Sequence, residues 1–450
     1  MFKKFLCLIL FLFIGKVSAE MVYRGAEYQK LSNDVSLIFL ETNESDNVFA
    51  AVCLSVGRSD DMDKSGKSEL VGTIFKQKLE EEMNKNPQGY SVEMTSFIGQ
   101  EQTLFSFYGK QVDLPFHVKC LARYFYDLKI SEKELAKEKE KISYKFNQSM
   151  LLDKNKLRKE ALQSLYWHDG AGKPFSIEEL NSITVDDLKN FREQNYTNNR
   201  LILIISGNLK NKDEIVKVVE ENFSNAKKSE IKRLKEPAHH DATINFEMDS
   251  PQVKFPCVEI YWRLPNYRDE KSVYDNDEPF RTISPISLEM FLIHLKKELE
   301  KSLVDELKIA SNVAFDYSFW NYSEGNLRIS VQLKEKEYSK ETEFLILGEI
   351  KRLAGEIDKQ KLVTAREELY KSVDVFNYQT NVIDTINWMS AKISAGYDYK
   401  FLKDYRDSIK NLKLETAEEV ETVKREIVKF FKREPEVISV LNPKGEGNAV

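Results

Sequence analysis

Cysteine is scarce in this chain. Of four, Cys7 lies inside an apolar N-terminal run, which leaves Cys53, Cys120 and Cys257. Three is an odd number, and their spacing fits no metal-ligand pattern. Cys53 sits in the apolar run Ala51 to Val56 and Cys120 beside an apolar helical face, so both are expected to be small core residues. A disulfide stays open in an oxidising compartment, although a core of this size does not need one. Histidine is almost as rare. None of His117, His168, His239, His240 and His294 forms a ligand pair at i, i+4 beside an acid, and the adjacent His239 and His240 diverge. A Gly-x-Ser-x-Gly elbow, a P-loop and a dinucleotide fingerprint are all missing. An excess of positive charge is missing too: the net charge of −6 gives no global field that would draw the chain to nucleic acid or acidic lipid.

Long apolar runs are absent after the first. Lys3 and Lys4 precede the run Phe5 to Ile14, and Val17-Ser18-Ala19 follows with small residues where a signal peptidase reads. Residues 1–19 are therefore expected to be a signal peptide cleaved before Glu20. The alternative is a membrane anchor, but the run is well short of the roughly 20 residues a spanning helix needs. No Cys follows it in lipobox position. The remaining chain is expected to be exported without a membrane span, periplasmic in a bacterium and otherwise secreted. The full sequence's 42% hydrophobic residues, with 27 Phe and 20 Tyr, supply ample core.

Patterning predicts a strand–turn–strand pair at Val35 to Leu40 and Val48 to Val56, then a polar loop, Gly57 to Gly66, and a helix from Ser68 to about Met83. Strand-like alternation returns from Tyr90 to Tyr108. Helices are expected at Val118 to Leu128 and Ser131 to Met150, the second opened by the capping box Ser131-Glu132-Lys133-Glu134. Thr184 caps another, Val185 to Gln194, before the apolar strand Leu201 to Ile205. Residues 224–245 carry no apolar periodicity and several Lys/Arg pairs, and are expected to link two domains, 20–223 and 246–450.

The second half repeats the first. A strand (Val258 to Leu264) precedes a helix (Ser287 to Leu307), strands at Val313 to Trp320 and Leu327 to Leu333, and helices at Ser339 to Ile357 and Lys361 to Val375. A helix capped at Thr416 and the strand Val437 to Leu441 mirror the end of the first half about 230 residues earlier. The expected class is α+β: two homologous domains, each an antiparallel-rich sheet with helices packed on one face.

Several segments carry a family resemblance. Leu31 to Leu40, then Val56-Gly57-Arg58-Ser59-Asp60 and Ser65-Gly66, resembles the N-terminal hairpin and entry loop of the pitrilysin/insulinase zinc peptidases. Ile183 to Leu188, Asn195 to Leu201 and Gly207-Asn208 resemble the helix and strand that close that family's first domain. With the duplication, the resemblance covers nearly all of the chain after residue 19. It implies an inverted His-x-x-Glu-His motif on the helix after Gly66, in which two His bind zinc and the Glu acts as general base on the metal-bound water. A Glu on a later helix supplies the third ligand, and the second half an Arg and a Tyr that position the substrate carbonyl.

The residues at those positions are wrong for that chemistry. Aligned from Gly66, Glu69 takes the first His position, Gly72 the base position and Thr73 the second His position, and the third ligand falls on Lys145. A lysine ammonium has no lone pair for a metal. Glu69 alone would read as a solvated helix residue. In the second half Val304 takes the Arg position and Ser311 the Tyr position. No catalytic or metal residue is therefore expected on this chain, and zinc is expected only in a partner. The resemblance implies the zinc-less member of a half-size peptidase pair, such as those of the mitochondrial processing peptidase type, either with a zinc-bearing sister subunit or as a homo-oligomer, enclosing peptide in a chamber. The other readings are a peptidase with a rebuilt metal site and an envelope scaffold.

Overall fold

The computed structural model describes residues 26–42, 46–86, 88–166, 175–209, 211–224, 228–229, 242–264, 284–318, 325–374, 386, 389 and 407–444. The expected signal peptide, His168, His239, His240 and the end of the expected strand at Trp320 lie outside those residues.

The first half builds a six-stranded sheet in the order β1-β2-β6-β3-β5-β4, from β1 (Ala26–Lys30), β2 (Ser36–Glu41), β3 (Asn47–Leu54), β4 (Glu93–Ile98), β5 (Thr103–Lys110) and β6 (Leu201–Gly207). Only β2 and β6 run parallel. The second half gives β7 (Ile244–Ser250), β8 (Cys257–Arg263), β9 (Ala310–Ser318), β10 (Asn326–Leu333) and β11 (Val437–Pro443), in the order β7-β11-β8-β10-β9 with only β7 and β11 parallel. Without β1, the two sheets have the same order and strand directions, so the duplication holds at the level of topology.

Helices α1 (Lys67–Met83), α2 (Leu114–Tyr126), α3 (Glu132–Ser149), α4 (Asp153–Tyr166), α5 (Ile177–Ser182), α6 (Val185–Asn195) and α7 (Lys212–Asn222) belong to the first half. The second contributes α8 (Pro285–Leu299), α9 (Ser339–Glu356), α10 (Lys359–Asp374) and α11 (Ala417–Phe431). Capping boxes set the starts of three of them. Ser131 and Glu134 cap α3, Thr184 and Asp187 cap α6, and Thr416 and Glu419 cap α11. The boxes on α6 and α11 occupy equivalent places in the repeat.

Strand periodicity decides where the core lies. Leu37, Phe39, Ala50, Val52, Leu54, Phe105, Leu203 and Ile205 face α1, α2, α6 and α7 in one buried cluster. The alternate residues Ile38, Leu40, Ala51, Cys53, Ile202 and Ile204 are apolar as well, and their cluster includes Ile386 and Met389 of the second half. Conversely, Ala161 and Leu165 of α4 pack with Tyr261 and Val437 on the second sheet. Residues of each half thus pack on the far face of the other's sheet, beyond the one-face helix packing that patterning predicts. Polar contacts reinforce the α4 junction: Arg158 Nη2 donates to Glu259 Oε1 at 3.1 Å, and Ser250 Oγ donates to Asp153 Oδ2 at 2.7 Å.

Some elements escape the sequence reading: β1, α4, α5, α7 and β7. Strand β7 begins at Ile244, inside the stretch 224–245 expected as linker. The helix expected through Leu307 is α-helical only to Leu299 and continues as π-helical turns over Glu300–Glu306. Cys53, Cys120 and Cys257 are buried, and none of them is in a disulfide among the described residues. No described helix is long and apolar enough to cross a membrane.

Candidate functional site

The loop between β3 and α1 is held tightly. A Cβ at Gly57 would meet the Gln100 carbonyl oxygen at 2.3 Å, so only glycine lets the loop pass the β4–β5 hairpin. Asp60 accepts from the Gly57 N–H at 2.9 Å and from Arg200 Nη1 at 2.8 Å, tying the loop to β6. Gly66 adopts φ 104°, and a Cβ there would meet Leu180 Cδ1 at 2.7 Å. Asp61 then caps α1: its carboxylate accepts the Gly66 and Ser68 N–H groups, each at 2.7 Å. Burial pushes the Asp61 carboxyl up to about 6, against those two N–H groups. Asn198, fully buried near the start of β6, donates to the Asn33 and Phe223 carbonyls and accepts from the Tyr126 hydroxyl. Gly57, Asp60, Gly66, Asn198 and Arg200, all within the segments that carry the resemblance, therefore build the frame.

Around this frame lies a cavity of about 460 Å³ between α1 and α3. Glu69 and Thr73 line it from α1, and Lys145 from α3. The structure thus brings three of the aligned positions into one space. The α3 wall is a stripe at helical spacing: Glu138, Lys141 and Ile142, Lys145 and Phe146, and Ser149. Arg58, Met62, Gln100 and Phe175 complete much of the rim, with the Phe146 and Phe175 rings 4.8 Å apart. The stripe on α3 was readable from its spacing. The approach of Arg58, Gln100 and Phe175 depends on tertiary structure.

Most of the cavity's charges are already spent on one another. Arg58 Nε donates to Glu69 Oε1 at 2.9 Å, and a second Arg58 nitrogen reaches the same oxygen. Glu69 is thus an ion-paired wall residue, not the solvated helix residue expected from sequence. Lys141 Nζ lies 2.6 Å from Glu138 Oε1, whose residue is buried. Lys145 lines the cavity with no hydrogen-bond or ion-pair partner among the described residues.

These residues do not fit zinc. The aligned positions offer one carboxylate held by a guanidinium, a hydroxyl and an ammonium, where a zinc site needs three neutral or anionic ligands. Among the described residues, no three His, Cys, Asp or Glu side chains converge as a set able to hold a metal ion. The base position is closed as well. Gly72 is buried, and a Cβ there would meet Ile98 Cγ1 at 3.1 Å and Thr103 Cγ2 at 3.7 Å. Val304 and Ser311 do not line this cavity. Val304 packs against the second half's core, and Ser311 opens β9 with its hydroxyl 3.3 Å from the Gln332 carbonyl.

Comparisons with known proteins give one family-model match and several similar folds. Residues 182–369 match the family model described as the peptidase M16 inactive domain. The fold is similar to that of a protease from Helicobacter pylori (TM-score 0.73, 15% identity, 93% of this chain and 99% of that one). It is also similar to a peptidase M16 inactive domain from Pseudomonas fluorescens (TM-score 0.74, 15% identity, 93% and 98%). The periplasmic protease PqqL from Escherichia coli matches at TM-score 0.67 and 12% identity, over 94% of this chain but 48% of its own. No curated protein matches in sequence. The sequence match over residues 182–369 and the M16-like fold are both what the resemblance to the pitrilysin/insulinase family implies.

Proposed function

We propose that this chain is the non-catalytic subunit of an exported peptidase pair, periplasmic in a bacterial host, which holds peptide beside a zinc-bearing M16-type partner. One observation carries the reading. The cavity at the family's metal positions persists, but its walls are an Arg–Glu pair, a threonine, a lysine and two phenylalanines. A space kept while its chemistry is lost fits binding better than catalysis. Strand β4 supports it, since it is a sheet edge with Phe97 56% exposed, and the hairpin that follows it brings Gln100 to the cavity. An extended peptide could add to that edge through main-chain hydrogen bonds. The Escherichia coli protein supports the pairing: a unit of this size makes up about half of one periplasmic protease.

The test is to mix the purified chain at micromolar concentration with the product of a neighbouring gene that carries an exported His-x-x-Glu-His protein. Co-elution and a change in peptidase activity are expected. If the two neither co-elute nor alter each other's activity, the reading fails. Stoichiometric zinc on this chain alone would overturn it in favour of a rebuilt active site.

A further inference from the structure

We propose that the cavity between α1 and α3 binds the C-terminal carboxylate of a peptide whose last residue is apolar, with Lys145 as the carboxylate's partner. This rests on the peptide-holding reading above and names its ligand.

The assignment follows from which charges remain available. Arg58 is engaged by Glu69 and Lys141 by Glu138, while Asp61 is committed to the backbone at the start of α1. Lys145 alone among the cavity's cations has no partner among the described residues. Asp61 is the one other lining charge outside those pairs, but its carboxylate is turned to two backbone N–H groups, so the Lys145 ammonium is left to take an anion. The neighbouring wall is apolar: Ile142 and Phe146 stand next to Lys145 in the α3 stripe, with the Phe175 ring tilted against Phe146. The ligand must therefore present an anion and an apolar group a few ångströms apart.

A chain end does this with one residue. Its carboxylate sits on the backbone, so its side chain is free to enter the aromatic pocket. An internal Asp or Glu spends its side chain on the lysine and leaves nothing for the phenylalanines. A cavity of about 460 Å³ is at the small end of ligand sites and suits the last residue or two of a chain. Its position beside the β4–β5 hairpin lets the rest of the peptide run along the β4 edge.

The experiment measures retention of pooled random decapeptides ending in Leu on the immobilised full chain. Three pools are compared: free acids, C-terminal amides, and amides carrying Glu before the Leu. A charge-assisted hydrogen bond of this kind makes the free acids bind about tenfold more tightly than the amides. Lys145→Gln brings free acids and amides to the same retention, while Lys145→Arg keeps most of the difference. Equal retention of acids and amides overturns the carboxylate assignment while leaving peptide holding intact. Retention of the Glu-bearing amides at the level of the free acids overturns the chain-end choice. If no pool is retained at all, both this inference and the peptide-holding reading fall.

Discussion

At the scale of single residues, those that hold the loop and those at the positions the resemblance assigns to chemistry differ in role. Gly57, Asp60, Gly66 and Arg200 hold the loop and the start of α1, and each has a geometric reason to be there. Glu69, Gly72, Thr73 and Lys145 take the positions that the resemblance assigns to metal and base chemistry, and Glu69, Thr73 and Lys145 line one cavity. Ile98 packs beside Gly72 and fills the space a side chain there would need. Gly72→Glu should lower stability by about 2–4 kcal/mol, through overpacking and a buried carboxylate. Adding Ile98→Ala should recover part of that loss in urea unfolding. His117 is a second residue with a measurable consequence. It is buried edge-on against Phe107, neither ring nitrogen hydrogen-bonds among the described residues, and burial lowers its pKa to about 4. The unfolded imidazole takes up a proton near pH 6.5, the folded one only near 4. Stability from this group is therefore full above pH 6.5 and falls as pH drops towards 4, by up to about 3 kcal/mol. Asp61 works in the opposite sense, since its raised carboxyl favours the folded state at low pH. The measurement is thus the difference in pH–stability slope between the wild type and His117→Phe, and the variant should be flatter between pH 4 and 6.5.

At the scale of elements, the repeat can be tested through its caps. Thr184 and Thr416 make the same reciprocal box with Asp187 and Glu419. Replacing either threonine by alanine should cost about 1 kcal/mol in thermal unfolding, with similar values for both. These caps were legible because a capping box is local: four residues state it. The central strands were legible for the same reason, being short apolar runs. Helix α4 was not. Its apolar residues Leu157, Ala161 and Leu165 form a stripe one residue wide in a Lys-rich stretch, and part of that stripe packs on the sheet of the other half. Nothing in its own half signals the partner surface. Strand β7 alternates clearly, Ile-Asn-Phe-Glu-Met-Asp-Ser, but it follows a charged stretch without punctuation and was absorbed into it. The cavity was half legible. The residues at the lost ligand positions could be found by alignment, and the α3 stripe by spacing. The pairing of Arg58 with Glu69 depends on how the loop folds back over α1.

At the scale of the whole molecule, the two halves are closed over one another. Leu165 and Ala161 cover the second sheet around Tyr261 and Val437, and Ile386 and Met389 sit in the cluster on the far face of the first. Leu165→Ala should therefore cost about 2–5 kcal/mol and lower a single unfolding transition rather than detach one half. Two transitions in calorimetry, with only one shifted, would contradict it. A protease site placed within residues 230–241 gives a second check: after cleavage the halves should still co-elute. The reciprocal cover also sets what the connecting segment contributes. Joined in one chain, each half meets its lid at an effective concentration fixed by the tether, and the unfolding midpoint is independent of protein concentration. Once cut, the same contacts become a bimolecular equilibrium, and the midpoint should rise with concentration as it does for an obligate dimer.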